Sequence, residues 1–133
     1  MTVKEGAEHS ETMVEKVDRA MFVRYAGASG DFNPIHWNED FAKSAGYPSV
    51  FAQGMFTAGV LGTFLTNWVG EDKVRRFRTR FTGQVWPDEK IVCSGKVTKV
   101  YEQDGEQRAD IELSVTNEQG ERKIDGDATV VVG

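Results

Sequence analysis

The stretch Gly54-Met55-Phe56-Thr57-Ala58-Gly59-Val60-Leu61-Gly62-Thr63-Phe64-Leu65-Thr66-Asn67-Trp68 decides the architecture. On a helix, Met55, Phe56, Val60, Leu61, Phe64, Leu65 and Trp68 cover nearly every side, and only Thr57, Thr63, Thr66 and Asn67 are polar. A helix that is apolar all round is a buried one, so the rest of the chain is expected to wrap it. The apolar part, Gly54–Val69, is 16 residues long, short of the roughly 20 needed to span a membrane. Gly59 and Gly62 each cost about 1 kcal/mol against Ala in a helix. Small residues there are expected where a sheet or a second helix comes close.

Downstream of Gly70 the period changes to two. Val74–Phe81, Lys90–Tyr101, Arg108–Asn117 and Ile124–Val132 read as strands. The clearest sets Ala109, Ile111, Leu113 and Val115 against Asp110, Glu112, Ser114 and Thr116, one face buried and the other wet. Asp104-Gly105 is a two-residue hairpin signal, and Asn117–Gly120 a longer turn. Upstream, His9–Val17 alternates weakly. Asp18 is placed to cap a short helix with Met21, Phe22 and Tyr25 on one face, closing near Gly27. Residues 27–37 read as a loop, and Glu39–Ala45 as one or two helical turns stopped by Gly46. Helices first and an antiparallel meander after them indicate an α+β fold, with the long helix on one face of a curled antiparallel sheet.

A chain of 133 residues fits a single domain over 1–133. The net charge of −5 excludes a global basic field for nucleic acid. One cysteine, Cys93, excludes an internal disulfide framework and a Cys-rich zinc site, and with only two histidines no metal-ligand spacing stands out. Cys93 lies in the alternating Ile91–Val97 run and reads as a small core residue. MTVKEGAEHSETM holds no apolar secretory segment, so a cytoplasmic, reduced setting is expected.

The densest chemistry lies in Asp31-Phe32-Asn33-Pro34-Ile35-His36. A carboxylate and an imidazole five residues apart, separated by a Pro-fixed bend, can converge on one point, a pairing suited to activating water. The other reading has Asp31 and Asn33 satisfying turn amides while His36 sits in a loop. Gly27-Ala28-Ser29-Gly30-Asp31 falls short of a nucleophile elbow because its last glycine is missing and no strand precedes it. Gln53-Gly54 opens the long helix, where unpaired amides and the helix dipole form an acceptor for a developing oxyanion. Gly54 would let a substrate approach with no Cβ in the way, or it simply starts the helix.

Gly27–Trp37, with Gln53-Gly54-Met55-Phe56-Thr57-Ala58-Gly59, resembles the hydratase-2 motif of MaoC-like enzymes: (R)-specific enoyl-CoA hydratases and (3R)-hydroxyacyl-ACP dehydratases of the hot-dog fold. Thr66-Asn67-Trp68-Val69-Gly70 is similar to the B-type subunits of two-component dehydratases. The match is specific from about Tyr25 to Gly70; beyond it, Arg80-Phe81-Thr82 and the strand order support it. The resemblance implies that Asp31 and His36 hold the water that adds to C3 of a trans-2-enoyl thioester and deliver the proton to C2. It also implies that the Gly54 amide polarises the thioester carbonyl, with Asn33 and Ser29 supporting the loop. Two departures stand out: Gln53 where many relatives carry His, and Pro87-Asp88-Glu89 where Pro-Gly-Asp is common.

Lys73, Arg75, Arg76, Arg78 and Arg80 put five cations in eight residues. Arg76, Arg78 and Arg80 share a strand face. They are placed to meet coenzyme A phosphates or an acidic acyl carrier protein, or they form a solvated edge protected by charge. The expected activity is reversible hydration of trans-2-enoyl thioesters to (R)-3-hydroxyacyl thioesters, with no cofactor beyond the carrier, coenzyme A or acyl carrier protein. Exposed edge strands and the resemblance both imply a homodimer, or a heterodimer with a second hot-dog subunit. The competing readings are a hot-dog acyl thioesterase and a non-catalytic subunit of a heterodimeric dehydratase.

Overall fold

In the computed structural model, which describes residues 3–132, five antiparallel strands form one sheet in the order β1-β3-β4-β5-β2. They are β1 (Glu8–Val14), β2 (Val74–Phe81), β3 (Ile91–Gln103), β4 (Glu106–Thr116) and β5 (Arg122–Val131). The helices α1 (Arg19–Ser29), α2 (Glu39–Ser44) and α3 (Gly54–Val69) all lie between β1 and β2. Since β1 and β2 occupy opposite edges, the chain must cross the sheet between them, and α3 makes that crossing. Its contacts span the width: His9 of β1 stacks on Phe64 at 5.2 Å, and Phe77 of β2 lies beside Gly62.

Alternation on β4 builds the floor under α3. Ala109, Ile111, Leu113 and Val115 are buried, while Asp110, Glu112 and Ser114 face outward. The β3–β4 hairpin turns on Asp104 and Gly105, both at positive φ (54° and 76°), as the Asp-Gly pair predicts. The closest approach of helix to sheet is at Gly95 of β3, where a Cβ would lie 2.5 Å from the Trp68 ring. Cys93 is a core residue, and burial pushes its thiol up to about 12.

Two expectations need correction. The helix is not enclosed: Thr57, Ala58, Leu61, Phe64, Leu65 and Trp68 are buried, but Met55 is 62% exposed and Gly59, Thr63 and Asn67 face outward. An open five-stranded sheet covers only one side of a helix. Nor do Gly59 and Gly62 serve a tight contact within the chain. Nothing lies within 4 Å of a Cβ added at Gly59, and at Gly62 the nearest atoms, on Phe77, are 3.9 Å away.

At the front, Asp18 caps α1 by accepting from the Met21 amide at 3.0 Å. The helix continues past Gly27 to Ser29, and Gly30 at φ 79° ends it. The expected loop is therefore shorter, and its second half is a 3₁₀ turn, Pro34–His36, with Pro in the first turn, where its missing N–H costs nothing. Among the described residues no helix is long and apolar enough to cross a membrane.

Candidate active site

Three short-range hydrogen bonds shape the segment between α1 and the 3₁₀ turn. Ser29 Oγ accepts from the Asp31 amide (3.1 Å), Asp31 Oδ1 from the Asn33 amide (3.3 Å), and Asn33 Oδ1 from the Ile35 amide (3.2 Å). Each side chain satisfies the amide two residues on, which is how short polar residues hold a turn without regular structure. Asp31 therefore satisfies a turn amide and faces His36 at the same time. One oxygen serves the turn; the other, Oδ2, lies 3.8 Å from His36 Nε2.

His36 is 7% exposed, and its Nδ1 lies 2.8 Å from the Phe51 carbonyl oxygen. A carbonyl only accepts, so Nδ1 carries a proton, and Nε2 is the ring nitrogen that faces Asp31; it is the acceptor whenever the ring is neutral. The Phe51 ring meets the imidazole edge to face at 5.2 Å. Asp31, in contrast, has 46% of its side chain in solvent. The pair is thus asymmetric: a fixed, buried imidazole and an accessible carboxylate. Their 3.8 Å separation is too long for a direct hydrogen bond. Arg19 brings α2 against α1 through Glu39 (3.1 Å), and that hydrogen bond holds the Glu39 carboxyl below its ordinary value.

Phe51, the partner of His36, stands three residues before Gly54 at the tip of α3. No side chain caps that tip. Gln53, buried just before it, donates from Nε2 to the Phe22 carbonyl in α1, and its Oε1 has no partner. The amides of Gly54 and Met55 are those that a helix cannot satisfy internally. The absent Cβ of Gly54 also has a role within the chain. It makes room for Phe81, whose ring would lie 3.1–3.3 Å from a Cβ there. A cleft of about 380 Å³ opens at this point, with Phe51, Gly54 and Thr57 on one side and Phe81, Gly83 and Val85 on the other. Asp31 and His36 do not line it.

Arg76, Arg78 and Arg80 are not a bare cationic stripe. Arg76 and Arg78 pair with Asp127 (3.0 and 2.9 Å), and Arg80 pairs with Asp125 (3.5 Å). They alternate with Phe77 and Phe81, which touch α3, so they point away from the helix. Among the described residues no group of three or more His, Cys, Asp or Glu is placed to hold a metal.

Sequence reasoning missed the ion pair Lys123–Glu89, whose side chains are 5% and 13% exposed. Alternation hides it, because Lys123 is the extra residue at a bulge: Thr116 pairs with Arg122 and Val115 with Ile124.

The profile described as "MaoC like domain" matches residues 3–121. The fatty acid synthase beta subunit pkiC of Emericella nidulans is 39% identical over 80% of this chain, but the match covers 6% of that protein. The (R)-specific enoyl-CoA hydratase of Rhodospirillum rubrum is 37% identical over 47% of this chain and 45% of its own length. Among solved structures, the (R)-hydratase of A. caviae superposes with a TM-score of 0.85 at 19% identity, covering 98% of both chains. The HadBC (3R-hydroxyacyl-ACP dehydratase) complex of Mycobacterium tuberculosis gives 0.75 at 20%, covering 97% of both.

Proposed function

The chain belongs to the MaoC-like dehydratase family, with its hot-dog fold, and from that premise we propose that it hydrates trans-2-enoyl thioesters reversibly to (R)-3-hydroxyacyl thioesters. One observation carries the reading: Asp31 Oδ2 and His36 Nε2 stand 3.8 Å apart, with Nδ1 committed to Phe51. With the imidazole neutral, both facing atoms are hydrogen-bond acceptors. A water at the apex donates one hydrogen to each and turns a lone pair outward, toward C3 of a bound enoyl group.

As the water oxygen bonds to C3, the pair takes its proton and the C2=C3 electrons move toward the thioester carbonyl. The first-turn amide of Gly54 and the dipole of α3 stabilise that oxyanion, a contribution worth about 10²–10³ in rate per donor. Return of the proton to C2 completes the addition, and dehydration runs the same steps backward. Asn33 and Ser29 keep the Asp31 carboxylate in register. The reaction uses no cofactor beyond the carrier thiol, coenzyme A or acyl carrier protein. Arg76, Arg78 and Arg80, with 52%, 68% and 79% of their side chains exposed, are the cations we assign to the carrier.

We further propose a second hot-dog chain at the β2 edge, a copy of this one or a related subunit. Phe77, Phe81 and Met55 are exposed beside that edge, and HadBC is a complex of such chains. Loss of enoyl absorbance without release of free thiol, with the solution mass measured on the same sample, tests both statements. Thiol release marks a thioesterase instead. Activity that appears only after a partner is added marks a non-catalytic subunit.

A further inference from the structure

The pair Lys123–Glu89 is the most deeply buried ion pair among the described residues, and the proposed reaction does not use it. Lys123 Nζ lies 3.1 Å from Glu89 Oε1 and donates to the Gln84 carbonyl at 2.7 Å. Glu89 Oε1 accepts from the Trp86 amide at 2.7 Å, and Oε2 from Asn117 Nδ2 at 2.5 Å. Glu121 Oε2 is the other charged group nearby, at 4.0 Å. The pair therefore grips the backbone at Gln84 and at Trp86.

Between those two points is Val85, whose carbonyl accepts from the Ala52 amide at 2.9 Å. The Trp86 ring packs against the Phe51 ring at 5.5 Å. Ala52 and Phe51 lead into α3, and the Phe51 carbonyl fixes the His36 tautomer. Gly83, Gln84 and Val85 are also the wall of the cleft across from Gly54. One buried charge pair thus reaches both halves of the candidate site through consecutive contacts.

Packing alone gives no reason for charge here. A buried ion pair is often no more stabilising than apolar residues of equal volume, while breaking it by removing one partner is strongly destabilising. What a fully hydrogen-bonded pair supplies is a unique geometry. The bulge at Lys123 serves the same end, because it turns a side chain out of strand alternation toward the loop.

We propose that Lys123 and Glu89 are positioning residues, holding the cleft wall opposite Gly54 and, through Val85 and Trp86, the Phe51 carbonyl that orients His36. The kinetic part of this proposal rests on the hydratase reading; the His36 part does not. The test compares Lys123→Met, the double variant Lys123→Met/Glu89→Leu, Lys123→Arg, and the outer-face control Lys96→Met. Readouts are the thermal midpoint, kcat and KM with a trans-2-enoyl-CoA, and the NMR signal of the His36 Nδ1 proton.

The double variant leaves no unpaired charge but frees the Gln84 carbonyl, the Trp86 amide and Asn117 Nδ2, so its midpoint falls, though less than that of Lys123→Met. Its kcat falls about 10- to 100-fold, since small misplacements of reacting groups cost that much. KM changes less than kcat, and the Nδ1 proton signal broadens or is lost. Lys96→Met matches the parent in every readout. A folded double variant with parental kcat and an unchanged Nδ1 signal overturns the proposal, as does a merely structural pattern in which midpoint and kcat recover together. Should the double variant fail to fold, Lys123→Arg decides: reduced kcat at a retained midpoint supports the proposal, and parental kcat overturns it. If the parent itself hydrates nothing, the hydratase reading fails, and the Nδ1 signal alone still decides for or against the positioning of His36.

Discussion

At the scale of residues, the division of labour rests on which atom each side chain commits. Asp31 gives one oxygen to the turn and one to His36, and His36 gives Nδ1 to Phe51 and Nε2 to Asp31. Asp31→Asn keeps the turn acceptor and loses the charge, whereas His36→Ala loses both functions. Each is expected to lower kcat by about 10²–10⁴ with little change in KM, as steady-state kinetics on the purified variants will show. Gly54 makes a separate prediction. The Phe81 ring tip stands 3.1–3.3 Å from where a Gly54 Cβ would be, and that half-exposed ring can partly give, so Gly54→Ala should cost no more than about 1 kcal/mol in a denaturant titration. Adding Phe81→Leu should recover part of that loss, and an equal loss in both backgrounds would refute the account of Gly54. The turn-forming residues Ser29, Asp31, Asn33 and Pro34 made the loop readable in the sequence, because such residues act on neighbours in the chain. Phe81 against Gly54 and Lys123 against Glu89 were not readable. Both join segments separated by tertiary folding, and a bulge removes the second from the strand pattern.

At the scale of elements, α3 both succeeded and misled. Its bounds followed from its apolar run, ended by Gly70, and β2 followed from alternation over Val74–Phe81. The apolar girdle also implied full enclosure, which one open sheet cannot provide. The face left outward carries Gly59, with open space where a Cβ would stand. In the isolated chain Gly59→Ala should therefore gain about 1 kcal/mol of helix propensity and raise the thermal midpoint. A lowered midpoint would show that another chain packs against this face in solution. Strand ends were less legible, since β3 and β4 extend two residues further into their hairpin than the apolar pattern does. There the pairing is carried by polar residues such as Gln103 and Glu106.

At the scale of the whole molecule, the sheet is tied together by charge as well as by its core. Glu106, on the β3–β4 hairpin, accepts from Arg75 on β2 and from Arg108, and these hydrogen bonds hold its carboxyl at about 2, against an ordinary 4.5. A depressed carboxylate stabilises the fold above its unfolded value, and that stability is lost as pH falls through the folded value. The tie between the β2 edge and the hairpin should thus be intact above about pH 4.5 and fade toward pH 2. Denaturation midpoints of the parent and Glu106→Gln should differ at pH 7 and converge near pH 2; a constant gap would contradict this. The central claim concerns the molecule's activity. It is tested most directly by incubating the purified chain with a trans-2-enoyl-CoA and resolving the product by chirality. The account predicts the (R)-3-hydroxyacyl thioester from the parent and almost none from Asp31→Asn. The (S) product, free thiol, or equal turnover by Asp31→Asn would contradict it.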